Sequence, residues 1–227
     1  MPRIVKPAAD RQDEILDVAQ ALFLQFGYES TPIQAVIDRV GIAKGTFYHH
    51  YPSKAALLDA LVSRTVAQAR LVMTPILDEP LPAVEKLNAL FLRTGAWKVA
   101  QKELMPEMHR ALHLDANLAL RLKLERDSVA AVVPLMGTVI RQGVAEGVFD
   151  TAYPLAVARI VMDLGVVLSH TLGDALLAGN PPSRAEVVTE IEAFHDAVER
   201  LLGAAKGSVR MIDISHISEW FDERRAG

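Results

Sequence analysis

Apolar residues at Ile15, Leu16, Ala19, Leu22, Phe23 and Phe26 recur at steps of one, three and four, the spacing that gathers side chains on one helical face. Asp10 is placed to cap the start of this helix, and Gly27, free to turn left-handed, to end it. Thr31-Pro32-Ile33-Gln34 then reads as a second start, with Thr31 at the N-cap, Pro32 at the first helical position and Gln34 at the third position of a capping box. That helix opens at about Pro32 and closes at Gly41, after Val36, Ile37 and Val40. A third runs from about Lys44 to His50, because Pro52 pushes Tyr51 out of the helical region. Ser53 caps a fourth, reaching to about Thr74 and carrying Leu57, Leu58, Leu61, Val62, Val66 and Ala69.

Beyond Pro75 the pattern stays helical, punctuated at Pro80, Pro82, Gly143, Gly147, Pro154, Gly179, Pro181 and Pro182. Ser183 and Glu186 form a capping box for a last helix whose face is Val187, Ile191, Phe194, Val198 and Leu201, up to Gly203. Leu118 to Leu124 alternates apolar and polar as a strand would, but good helix formers fill it and no partner strand is evident, so helix is expected. The most apolar stretch, Ala156 to Ala178, is interrupted by Arg159, Asp163, His170 and Asp174, each expensive at bilayer depth, and reads as a buried helix of a soluble protein with no membrane partner. After Gly203 comes a tail with Met211, Ile212, Ile214, Ile217, Trp220 and Phe221, whose structure the pattern leaves open.

Composition narrows the possibilities. The chain has 227 residues and no cysteine, which removes disulfides, thiolate metal sites and cysteine nucleophiles and fits a reducing compartment. Met1 to Asp10 carries Arg3 and Lys6 and no apolar run of signal-peptide length, so a cytoplasmic location is expected. A net charge of −4 argues against coating nucleic acid by bulk electrostatics. No GxSxG, Walker, GxGxxG or HExxH motif is present, so an enzyme is not expected.

The two short helices around Gly41-Ile42-Ala43 have the form of a helix-turn-helix. At about 100° per residue Phe47 and Tyr51 share the inward side with His50 at its border, while Gly45, Tyr48 and His49 face out. A glycine permits close approach of backbone to a groove, and an exposed Tyr and His offer polar atoms and rings to bases and phosphates. Residues 38–54 hold Arg39, Lys44 and Lys54 against Asp38, whereas residues 1–64 as a whole are balanced. Helix starts at Thr31, Lys44 and Ser53 add backbone N–H groups suited to phosphate.

The run Ile15-Leu16-Asp17-Val18-Ala19, Leu22-Phe23, Phe26-Gly27-Tyr28, Thr31, Val40-Gly41-Ile42, Lys44 to Tyr51, Ser53-Lys54 and Leu57-Leu58 resembles the N-terminal domain of the TetR family of transcriptional regulators. The resemblance covers about fifty residues and stops near Leu61. It implies an all-α protein in which residues 1–54 form a three-helix DNA-binding domain, residues 55–203 a larger helical ligand-binding and dimerisation domain, and residues 204–227 a tail of open role. It implies that Thr31, Lys44, Tyr48, His49 and Lys54 touch operator DNA and that Gly45 and Thr46 lie against the groove. Ala43 stands where the family commonly has a capping Ser or Thr, and one capping bond is expected to be missing. It further implies a homodimer, joined through the 156–178 and 183–202 helices, on a roughly palindromic operator.

As a member of such a family the chain is expected to be a repressor released by a small molecule that tilts the fourth helix, the evident covalent link between domains. A regulator without an effector, or a metal-responsive one, is the alternative. Candidate ligand contacts are Trp97, Met105, Met108, His109, His113, Phe149, Met162, Asp163 and His170, although core packing is the simplest reading of each Met and aromatic, and Arg159 is a ready partner for Asp163. His109 and His113 stand at i, i+4 with Glu103 or Glu107 nearby, but a third ligand at helical spacing is missing, so neither a metal nor any other cofactor is assigned.

Overall fold

The computed structural model describes residues 8–101, 103–177 and 182–214. They form nine α-helices and two short 3-10 turns, with no strand among them. The helices are α1 (Ala8–Phe26), α2 (Ile33–Val40), α3 (Lys44–His50), α4 (Lys54–Met73), α5 (Ala83–Ala100), α6 (Leu104–Leu112), α7 (Leu118–Ala145), α8 (Pro154–Leu177) and α9 (Arg184–Leu202). The fold is all-α. The chain divides into two compact units, one made of residues up to Thr65 together with Glu103–Leu122, the other of Val66–Lys102 together with Lys123 onward.

The first unit is built where the pattern places it. Ile15, Leu16, Ala19 and Phe23 of α1, Val36 and Ile37 of α2, Phe47 and Tyr51, and Leu57, Leu58, Leu61 and Val62 of α4 are all buried. Phe26 is not: it sits on the last turn of α1 at 55 % exposure, beyond the reach of the core. Asp10 lies in the first turn of α1 rather than at its cap, since the helix already runs at Ala8. Gly27 takes the left-handed conformation at φ 84° and its N–H returns to the Phe23 carbonyl. Arg64 of α4 donates to Asp17 and Gln20 of α1 at 2.7 and 2.8 Å, which ties the two helices into one body. Against a boundary expected at residue 54, the compact unit therefore runs on to Thr65, and it recruits α6, which packs on α1.

The second unit has its own core, including Ile76, Leu87 and Leu90, Val133, Met136 and Ile140 of α7, Ala158 and Val161 of α8, and Val198 and Leu202 of α9. Leu118–Leu124 is helical, at the start of α7. Gly143 does not break that helix. It is the only residue small enough there, because a Cβ would lie 2.1 Å from the Phe149 ring. The α5 start has Pro82 and no side-chain cap of its own; the Glu146 carboxylate supplies one by accepting the Ala83 N–H at 2.8 Å. The capping box of Ser183 and Glu186 is formed as read, and Gly203 ends α9 at φ 61°.

The 156–178 stretch is not the buried helix its composition suggested. Only 22 % of its most apolar window is buried, and Ile160, Leu164 and Val167 lie exposed along one face of α8. The charges at Arg159 and Asp163 flank that face, 3.9 Å apart and both exposed. By contrast α9 turns Val187, Ile191, Val198 and Leu202 inward and leaves a polar exterior. Ala178, Gly179, Pro181, Ile217, Trp220 and Phe221 lie outside the described residues.

Candidate nucleic-acid interface

The geometry of the helix-turn-helix starts from one glycine. Gly41 adopts φ 73°, ψ 38°, which ends α2 by directing its own N–H and that of Ile42 to the Ile37 carbonyl. Ala43 is then extended at φ −69°, ψ 146°, and its carbonyl accepts from Thr46 and Phe47, launching α3 with no side-chain cap. α3 is anchored by Phe47, 0 % exposed, and by Tyr51, whose hydroxyl donates to the Gln12 carbonyl at 3.4 Å. Burial raises the Tyr51 pKa, with Asp13 adding to the rise and Arg64 opposing it, so this anchor stays protonated at neutral pH.

Seven residues are too few to hold themselves in water, so the inward aromatics are what fix the outward face. That face carries Lys44, Gly45, Tyr48 and His49, all exposed, with Thr46 half-buried at its side. Nothing lies within 4 Å of where a Gly45 Cβ would be. Lys44 reaches over the Tyr48 ring, 5.9 Å from its centroid, so a positive charge and an aromatic face are offered together. Arg39 is exposed on the turn before, while Asp38, the one acid nearby in sequence, is held by Gln34 at 2.8 Å.

Two of the expected contacts are placed differently. Thr31 is 2 % exposed, and its hydroxyl donates to the Gly27 carbonyl at 2.8 Å and to the Leu22 carbonyl at 3.2 Å. It is neither the N-cap of α2, which is Pro32 without a side-chain cap, nor a side chain that can reach DNA; it closes the α1–α2 turn. Lys54 donates to the Glu29 carbonyl at 3.0 Å and lies 4.5 Å from the Tyr28 ring centroid. Burial lowers its pKa and Glu29 pulls it back up, so it is a partly engaged cation at the edge of the face.

The turn that Thr31 closes is also held by residues far along the chain. The Tyr28 N–H donates to Glu107 of α6 at 2.8 Å, and the Tyr28 side chain is hydrogen-bonded by Asn117, itself buried and donating to the Ala111 carbonyl. Burial of Tyr28 raises its pKa against the lowering effect of Asn117. In sequence Glu107 stands out only as a neighbour of His109 and His113, and Asn117 and Arg64 not at all, because a separation of 79 residues between Tyr28 and Glu107 leaves no local signal.

The candidate ligand contacts are divided between the two units. Met105 and His109 belong to the first unit and Trp97, Met162, Asp163 and His170 to the second. Met162 packs on the core of its unit and Phe149 lies within that core. Asp163 is exposed beside Arg159, and the half-buried His170 lies 3.0 Å from Glu125. Met108 meets the Thr65 hydroxyl at 3.7 Å. His109 and His113 stack with centroids 3.8 Å apart, and the His113 Nδ1 is 2.8 Å from the His109 carbonyl, which occupies one of its two ring nitrogens. The expectation of a single covalent lever is also corrected, because the chain passes between the units after Thr65, after Lys102 and after Leu122.

Comparison with known proteins agrees with the geometry. The profile of bacterial regulatory proteins of the tetR family matches residues 15–61, from the first buried residue of α1 to Leu61 of α4. The transcriptional repressor KstR2 of Mycobacterium tuberculosis is 29 % identical over 92 residues, a span of 40 % of this chain and 46 % of that protein, so the match covers about half of the relative's length. A TetR-family regulator structure from Pectobacterium atrosepticum superposes with a TM-score of 0.68 at 19 % identity, over 86 % of this chain and 95 % of that one. SmeT of Stenotrophomonas maltophilia, solved as a triclosan complex, superposes at 0.63 with 18 % identity, over 90 % of this chain and 97 % of that one. At those identities the structures speak for the fold, while the helix-turn-helix match speaks for descent. With the exposed α3 face of residues 44–49 inside the matched segment, residues 15–61 are similar to the DNA-binding module of the tetR family of bacterial regulatory proteins.

Proposed function

We propose that the protein is a sequence-specific, DNA-binding transcriptional repressor that uses α3 as its recognition helix. The observation that carries this reading is the division of α3 into a fully buried anchor at Phe47 and an exposed face of Lys44, Gly45, Tyr48 and His49. Gly45 lets the backbone approach the groove, Tyr48 and His49 present donors and rings to base edges, and Lys44 pairs with phosphate. Thr46 and Lys54 border the contact, and Thr31 supports it from within. A DNA-binding role is consistent with the cytoplasmic location proposed.

Function as a homodimer rests on α8. Its exposed Ile160, Leu164 and Val167 make an apolar stripe of the kind soluble proteins cover with a partner, and a two-fold axis through it would present two recognition helices to one palindrome. The polar exterior of α9 gives it a flanking rather than a central part. Release by a small-molecule effector is the mode of regulation proposed, with the second unit supplying the dimer and effector functions. Linkage then requires that effector and operator weaken one another by the same factor.

The test is fluorescence anisotropy on DNA flanking the protein's own coding region, with a scrambled duplex as control, across a salt series. Tyr48→Ala is expected to reduce the preference for the specific duplex, by about 1–3 kcal/mol, while leaving scrambled-duplex affinity nearly unchanged. Lys44→Ala weakens both and lowers the salt slope by about one. Equal loss on both duplexes in Tyr48→Ala would remove α3 from its assigned role.

A further inference from the structure

The segment after α9 holds a run of backbone amides taken up by side chains instead of by secondary structure. Val209 N–H donates to Glu199 at 3.0 Å and Arg210 N–H to Asn88 of α5 at 2.7 Å, and the Asn88 amide returns a bond to the Ser208 carbonyl at 2.9 Å. Met211 and Ile212 N–H both donate to one atom, the His195 Nε2, each at 3.1 Å. Four successive amides are thus fixed by three side chains of α5 and α9. Val209 and Met211 are buried in the core of the second unit. Ile212 and Ile214 instead cover Val187 and Ile191 of α9, together with Leu172 of α8.

These acceptors differ in what acid does to them. Asn88 offers an amide oxygen and Glu199 a carboxylate oxygen, and neither is a ring nitrogen that a proton converts from acceptor into donor. His195 can accept only while Nε2 carries no proton, and a charged imidazole would set a third donor against two N–H groups already there. We propose that residues 208–212 are an acid-released clasp, in which protonation of His195 frees Met211 and Ile212 and uncovers the Val187–Ile191 patch, while Glu199 and Asn88 keep Val209 and Arg210 in place.

The surroundings of the ring favour the accepting form. Burial pushes His195 below the ordinary imidazole value, and the Glu199 and Glu192 carboxylates of α9 pull the other way. Asp196, next in the helix, is paired with Arg200 at 2.8 Å. The clasp contributes Arg210, exposed, the residue just after the clasp is the half-buried Asp213, and α5 contributes the neutral Asn88. His170 and Asp174 of α8 stand two positions either side of Leu172 and so face away from the patch that Leu172 covers. A folded value below the unfolded one means the clasp is tightest above about pH 6.5 and loosens as the pH falls toward the lower value of the closed form.

The experiment is amide hydrogen exchange on the full-length, isotope-labelled protein between pH 7.5 and 5.0, corrected for intrinsic rates, with the His195 ring titration read in the same samples. Protection of Met211 and Ile212 is expected to fall by up to tenfold for each pH unit below about 6.5, until His195 is charged, with Val209 and the α9 core unchanged. His195→Gln, whose amide oxygen accepts at every pH, should make that protection independent of pH. Corrected protection at 211 and 212 that ignores pH, parallel loss at Val209, a ring value at or above 6.5, or pH dependence surviving in His195→Gln would each overturn the clasp; the wild-type ring titration decides even if the variant does not fold.

Discussion

Replacing Thr31 with valine separates the role its position in the family suggests from the role its surroundings impose. Valine has nearly the same shape, so the 2 % exposed site is left without a cavity and the change is confined to one hydroxyl. That hydroxyl makes a bond of ordinary length to Gly27 at 2.8 Å and a longer one to Leu22 at 3.2 Å. The hydroxyl has one proton to give, shared between those two carbonyls, so its removal costs about 0.5–1.5 kcal/mol, rising toward about 3 kcal/mol if the carbonyls stay dry. Thr31→Ser keeps the hydroxyl and gives up one methyl, a loss of about 0.8 kcal/mol. Urea unfolding followed by circular dichroism reads the stability, and anisotropy across a salt series reads the DNA contact. The expected outcome is a lowered midpoint for valine, a smaller shift for serine, and an unchanged salt slope in both. An unchanged midpoint with a slope reduced by about one would show that Thr31 meets a phosphate after all, and the turn-closing role would fall.

Three further outcomes are expected. Ala43→Ser gives α3 the side-chain cap it lacks and should raise stability by about 1 kcal/mol in the same unfolding assay, the backbone there being already extended at φ −69°, ψ 146°. Gly143→Ala drives a Cβ into the Phe149 ring, 2.1 Å away, and should cost at least about 2 kcal/mol, read as a lowered unfolding midpoint. Val167→Asp places a charge at the most exposed position of the α8 stripe and should yield a monomer in sedimentation velocity with an unchanged helical spectrum; a dimer of wild-type strength would move the interface elsewhere.

What the sequence discloses here is whatever short-range chemistry determines. Gly41, Pro52 and the Phe47–Tyr51 spacing mark α3 to the residue, because a left-handed stop, a forbidden pre-proline helix and an i, i+4 anchor are all local signals. The Ser183 box and Gly203 bound α9 for the same reason. Thr31 is ambiguous in sequence because the first turn of a helix and the close of the preceding turn both favour a hydroxyl, and only the carbonyls of Leu22 and Gly27, brought near by folding, decide between them. Asp163 misleads in the same way, because its apolar neighbours in sequence suggest burial, whereas α8 turns that composition outward. Glu107, Asn117, Glu146 and His195 act across long separations on backbone amides or a side chain, which no periodicity records.

The discontinuous make-up of the first unit also sets an order of assembly during synthesis. The helix-turn-helix is translated by residue 51, yet the Glu107 carboxylate that receives the Tyr28 N–H follows 79 residues after Tyr28, and Asn117 later still. A nascent chain therefore carries α1 to α3 through the time needed to make α5 and α6 before its α1–α2 turn can be locked. Closing so long a loop slows folding more than it weakens the finished fold. A fragment ending at Thr65 would hold every residue of the recognition face while lacking the two that steady the turn behind it, so an isolated reader should bind DNA through a looser scaffold than the whole chain provides.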